Sequence, residues 1–207
     1  MHKLGDMGVL FAPSELEPKM WKALAAVAVR LHQSYDETGI APPGGSKDKC
    51  LFTSLAVRDF LVQIGYRDAT VRGCALMVYA DDKQGQQIWS IGIGVRGQPE
   101  IEGKLNGHAV VTVPSLKLLI DTTVYQAQRK YWPDLPGMMA LPYYEPHESG
   151  LFSAVNHEGD DRIIHMGWQD RPELPWRKSE DFRFRNSRRI ACTKAMLEAF
   201  NGGLIDA

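Results

Sequence analysis

The chain has 207 residues, 44% hydrophobic and 24% charged, which suits one globular domain with a proper core. A formal charge of −1 gives no electrostatic basis for binding nucleic acid or an anionic membrane, and no apolar run approaches the roughly 20 residues that span a bilayer. Three cysteines, odd in number and widely spaced, argue against a disulfide framework and for a reducing compartment. Residues 1–6 lack the layout of a secretory signal, so the expectation is a cytoplasmic protein.

Residues 14–35 predict a first helix, with Ser14 as N-cap, Glu17 closing a capping box and Pro18 in the first turn. Trp21, Leu24, Ala25, Ala28 and Leu31 then recur at helical spacing. Residues 39–49, with Pro42-Pro43-Gly44-Gly45, form an irregular loop within the same domain. A second helix follows over 48–64, with Leu51, Phe52, Leu55, Ala56, Phe60 and Ile64 on an apolar stripe and Gly65 closing it.

Cys50 falls in the first turn of that helix. There the unpaired N–H groups and the positive end of the helix dipole stabilise a thiolate, and Lys47 and Lys49 add positive charge.

Period-two patterning over 69–79 and 88–95 predicts two strands across the polar loop at Asp81–Gly85. Gly92-Ile93-Gly94 lies inside a strand without a third glycine or a helix start, so it is not a dinucleotide fingerprint. Residues 107–127 read as a hairpin turning at Ser115-Leu116, with Val113 opposite Leu118. That register places His108, Val110, Thr112, Leu119, Asp121 and Thr123 on one face, and Ala109, Val111, Val113, Leu118, Ile120 and Thr122 on the other. The second face is nearly all apolar and is expected on the core. On the first, His108 and Asp121 are diagonal neighbours about 7–8 Å apart at the backbone.

A short helix over 125–132, a surface-hugging loop over 133–146, strands over 151–155 and 162–168, and a final helix over 187–200 complete the prediction. Helix, then strands, then helix is the α+β pattern. One domain, 1–207, is expected, with an N-terminal helix, a core over 47–126 and an extension over 127–207.

The cysteine, histidine and aspartate supply a nucleophile, a base and an orienting carboxylate in that chain order. Three stretches carry a resemblance: Lys-Cys50-Leu-Phe-Thr-Ser-Leu-Ala, Gly-His108-Ala-Val-Val-Thr-Val and Leu-Leu-Ile-Asp121-Thr-Thr. Together they resemble the transglutaminase-like superfamily of the papain-like fold, whose order the arylamine N-acetyltransferases share. The resemblance covers Lys47 to Gln126. It implies a Cys50-His108-Asp121 triad, an antiparallel sheet packed on the cysteine's helix, and acyl transfer through a thioester on a peptide, amide or acyl substrate.

No metal or organic cofactor is expected, and no nucleic-acid or membrane partner. The backbone N–H of Cys50 is one oxyanion donor; the second is unassigned. The alternative is a non-catalytic binding or structural module on the same fold. Cys74 and Cys192 read as buried structural cysteines. His147, His157, His165 and Cys192 are the candidate metal ligands if one exists, although they lack ligand spacing. Trp89, Trp132, Tyr143 and Tyr144 are candidates to line a groove. Arg183, Arg185, Arg188 and Arg189 read as a solvated charged face.

Overall fold

The structure, a computed structural model, describes residues 2–4, 10–33, 49–98, 102, 105–127, 135–178, 182 and 186–202. The sequence readings of residues 34–48, of 128–134 with Trp132, and of Arg183 and Arg185 lie outside these. Among the described residues nine strands join one sheet: β1 (His2–Leu4), β2 (Leu10–Ala12), β3 (Thr70–Asp82), β4 (Gln87–Ile93), β5 (His108–Val113), β6 (Leu118–Asp121), β7 (Met138–Pro142), β8 (Leu151–Glu158) and β9 (Arg162–Asp170). Their order is β1-β2-β7-β6-β5-β3-β9-β8, with β4 also paired to β3. Every pairing is antiparallel except β2 with β7. The sheet curls until β8 meets the end of β7, where Tyr144 N–H donates to Phe152 O (2.9 Å) and Ser153 Oγ to Pro142 O (2.8 Å). The protein is therefore α+β with a nearly closed antiparallel sheet.

Helix α1 (Pro18–Ala28) starts four residues later than predicted, with Pro18 in its first turn and Glu17 at the N-cap making no side-chain capping bond. The expected capping box does not form: the Glu17 carboxylate instead accepts the Tyr66 hydroxyl. A π-helical turn, Val29–Gln33, continues α1. Helix α2 (Cys50–Gln63) ends in a Schellman motif, Tyr66 N–H to Leu61 O (2.9 Å) and Gly65 N–H to Val62 O (3.1 Å). Gly65 makes that reversal at φ +110°, a conformation L residues rarely adopt. Residues 50–57 of α2 are buried all round, so the expected single stripe understates how deeply this helix sits. Helix α3 (Asn186–Asn201) packs on α1 and α2.

The hairpin has the predicted register, Val113↔Leu118, Thr112↔Leu119 and Val111↔Ile120. Its turn is longer than two residues: a 3₁₀ turn over Pro114–Leu116, then Lys117 at φ +47°. Asp68 pins the turn by accepting Ser115 N–H at 2.6 Å. Both faces are buried, not one. Val111, Val113, Leu118 and Ile120 pack against the helices, while Val110 and Leu119 join Trp168, Phe152 and Met166 inside the curl of the sheet. The hairpin divides two cores.

The surface-hugging loop expected over 133–146 is, in part, a buried strand. Residues 138–142 form β7, which pairs with β6 on one side and β2 on the other and is buried over its first four residues. Its Met-Met-Ala-Leu-Pro sequence lacks β-branched residues and alternation, because both of its faces lie against cores. The expected helix at 125–132 is, where described, a 3₁₀ turn over Val124–Ala127.

Candidate active site

Cys50 is the first residue of α2 and is 5% exposed. The first bond of the helix ladder runs from Thr53 N–H to Lys49 O (2.9 Å), so the amides of Cys50, Leu51 and Phe52 precede it. This is the electropositive end of the helix. The thiol lies among Leu51, Leu55, Val71 and Ala109, with Leu105, Trp176 and Phe182 packed against that group. Trp176 and Phe182 meet edge to face, their centroids 5.7 Å apart.

His108 opens β5. Its position depends on two glycines. Gly94 sits at φ +71°, and a Cβ there would overlap Gly107 Cα; a Cβ on Gly107 would overlap Leu174. The backbones before and after the 94–107 loop can therefore approach closely enough to seat His108 beside Cys50.

The His108 Nε2 to Asp121 Oδ2 distance is 2.6 Å, and neither side chain is exposed. The remaining ring nitrogen, Nδ1, is buried without a hydrogen bond. Burial alone would push the ring's pKa down. The charge and hydrogen bond of Asp121, helped by the Cys50 side chain, prevail and raise it to about 10. The Cys50 side chain thus lies within reach of the ring, while Asp121 holds Nε2.

Asp121 ends β6, and its carboxylate takes three bonds. Oδ2 accepts from Trp168 Nε1 (2.8 Å) as well as from His108, and Oδ1 accepts Thr123 N–H (2.9 Å). Burial favours the neutral acid, but His108, Thr123 and Trp168 outweigh it and hold the carboxyl below the usual range. An ionised carboxylate with this many donors fixes both the tautomer and the plane of the ring.

No family model, no characterised protein and no solved structure matches this chain. The functional reading therefore rests on the site itself.

The three residues expected to act together, Cys50, His108 and Asp121, are brought together at one end of the hairpin. The other candidates are not. His157 and His165 sit opposite Ile164 and Asn156, on alternating faces of the sheet, and Cys192 is buried in α3. Among the described residues no group of three or more His, Cys, Asp or Glu could hold a metal ion. Trp89 packs against the inner core, Tyr143 donates its hydroxyl to Glu145 (3.3 Å) and accepts from Arg72 (2.7 Å), and Tyr144 is exposed. Arg189 pairs with Asp59 at 2.9 Å. A groove of about 440 Å³ between α2 and α3, lined by Asp59, Val62, Ile190 and Leu197, lies at the far end of α2 from Cys50.

Cys74 is wholly buried directly across from His108 in the β3–β5 ladder. Burial, then the charges of Asp121 and Cys50, push its thiol well up, so it stays protonated and does not compete as a nucleophile.

Two supporting residues escaped the sequence reading. Trp168 looked like any apolar strand residue. His32 is the other; it sits on the π turn after α1, on the stripe that Ala25, Ala28 and Leu31 define. Burial lowers its pKa to about 4, against a hydrogen bond to the Thr122 backbone and the charge of Asp121, so it is neutral at pH 7. An imidazole on an apolar stripe was the available signal.

Proposed function

We propose that this protein is a cysteine-dependent acyl-transfer enzyme with a transglutaminase-like, papain-like core. The observation that carries the reading is the buried 2.6 Å His108–Asp121 pair with the Cys50 side chain acting on the same ring. A ring whose cation is this well stabilised already holds, at neutral pH, the proton that the thiol gives up. Cys50 Sγ then attacks the carbonyl carbon of an amide or ester, and its proton resides on His108. The backbone N–H of Cys50, at the positive end of α2, is the one donor assigned to the developing oxyanion. As the C–N or C–O bond breaks, His108 returns the proton to the leaving amine or alcohol, leaving a thioester on Cys50. Water or an amine then attacks the thioester, His108 takes its proton, and the thiol is regenerated. Asp121 keeps the ring in place throughout.

An activated ester tests this directly. Treatment with p-nitrophenyl acetate is expected to release one equivalent of nitrophenolate in a burst and leave one acetyl group on Cys50, seen by peptide mass. Cys50→Ala and His108→Ala should lose the burst. Acetyl groups confined to lysines would overturn the assignment. The 5% exposure of Cys50 favours the second reading, a binding module without activity, and that outcome would support it.

A further inference from the structure

The β5–β6 ladder stops short of the residues it serves. Its last pair at this end is Val111↔Ile120, whereas β5 stays paired to β3 as far as Ala109↔Gly73 and Cys74↔His108. The hairpin is therefore unladdered where His108 and Asp121 meet. Two hydroxyls from α2 enter there. Ser54 Oγ donates to Ala109 O at 2.9 Å, and Thr53 Oγ1 lies 2.7 Å from Thr122 Oγ1. Thr53 Oγ1 also reaches Lys49 O (3.1 Å) and Cys50 O (3.3 Å), so it ties the turn that carries the nucleophile. Thr53, Ser54 and Thr122 are all buried.

The spacing makes this a device and not a coincidence of packing. Thr53 and Ser54 stand three and four residues after Cys50, hence on its face of the helix. Ala109 and Thr122 each follow a site residue by one, so the bonds from Ser54 to the Ala109 carbonyl and from Thr53 to the Thr122 hydroxyl hold the chain beside His108 and Asp121. One helical turn thus grips both strands of the hairpin, each one residue past the group it must align.

We infer that Thr53 and Ser54 are positioning residues that fix Cys50 against the His108–Asp121 pair. This rests on the acyl-transfer reading above. Neither hydroxyl touches the reacting atoms; each sets where the thiol stands relative to the ring, and a misplacement of about 1 Å in such a constellation costs on the order of 100-fold in rate.

The test is the rate of Cys50 acylation by p-nitrophenyl acetate as a function of pH in the full chain. Wild type, Thr53→Val, Thr53→Ser, Ser54→Ala, Thr122→Val and Thr193→Val are compared, with thermal unfolding followed in parallel. Thr193 is the control: its buried hydroxyl bonds Ala56 O (3.2 Å) on the same helix, away from the site. In Thr53→Val and Ser54→Ala, the limb near neutral pH, where a reactive thiolate depends on pairing with protonated His108, should drop by about 10- to 100-fold. The limb well above the free-thiol pKa of about 8.5 should hold. Thr53→Ser should restore the first limb, and Thr193→Val should leave it unchanged at a comparable loss of stability. If Thr53→Val does not fold, Ser54→Ala and Thr122→Val carry the same expectation. Profiles that superimpose on a wild type possessing the neutral limb overturn this inference alone, as does a matching loss in Thr193→Val. A wild type without that limb overturns the acyl-transfer reading and this inference with it.

Discussion

The described residues include two His–Asp pairs, and their settings differ in almost every respect. His108 and Asp121 meet at 2.6 Å with no exposure, between two cores, and the carboxylate takes two further N–H donors. His165 Nε2 stands 3.2 Å from Asp81 Oδ2 on the outer face of the sheet, with side-chain exposures of 20% and 23%. Its Nδ1 contacts Asn156 at 2.9 Å, and Tyr79 stacks on its ring at 4.5 Å. The residue types are the same and the chemistry is not. Water can solvate either partner of the outer pair, so little depends on their staying together. At the inner pair both side chains are shut off from water, and an uncompensated charge there is costly. Burial, a fixed set of donors and a thiol beside the ring set the inner pair apart, and the proposed chemistry requires all three.

Asp121→Asn should break the inner pair with the largest effect. Removing one partner of a buried ion pair costs about 3–5 kcal/mol, and urea unfolding should register it together with a loss of Cys50 acylation. A small shift in the unfolding midpoint would mean that the pair is not buried as described.

The pH dependence of stability sharpens the contrast. His108 holds its proton up to about 10 when folded, against an ordinary value of 6.5. Its contribution is complete below pH 6.5 and fades as pH rises toward 10; His108→Gln should flatten that slope. Asp121, held low, contributes above the ordinary carboxylate range and loses that contribution as pH falls through its depressed value. His32 titrates at about 4 when folded, so its stabilising contribution is present above pH 6.5 and declines as pH falls to 4. His32→Gln should remove that acid-side slope, as seen in denaturant titrations across the range.

Trp168→Phe keeps a ring in the inner core but removes the N–H donated to Asp121. A hydrogen bond to a charged group of this kind is worth about 2 kcal/mol, and urea unfolding should show a loss near that size. Asp81→Asn, at the outer pair, should change stability by less than about 1 kcal/mol by the same measurement and leave acylation untouched.

The sequence held the local half of this architecture. The hairpin register could be read because β-branched residues alternate on both sides of Pro114, and that register alone put His108 and Asp121 on one face. Cys50 at a helix start followed from the apolar spacing and from Gly65. What could not be read is long-range. Thr53 meets Thr122 across 69 residues, Ser54 meets Ala109 across 55, and Trp168 meets Asp121 across 47. A hydroxyl near a helix start reads as a cap, and a tryptophan in a strand reads as core. β7 was lost for a related reason: a strand buried on both faces has no alternation to betray it.

The central claim is that His108 activates Cys50, and the rate of iodoacetamide labelling at Cys50 against pH tests it most directly. With an activated thiol, labelling stays fast well below the free-thiol pKa of about 8.5, and His108→Ala slows it there. Labelling that rises only near that value, with wild type and His108→Ala alike, would contradict the account and leave an inert thiol beside a structural ion pair.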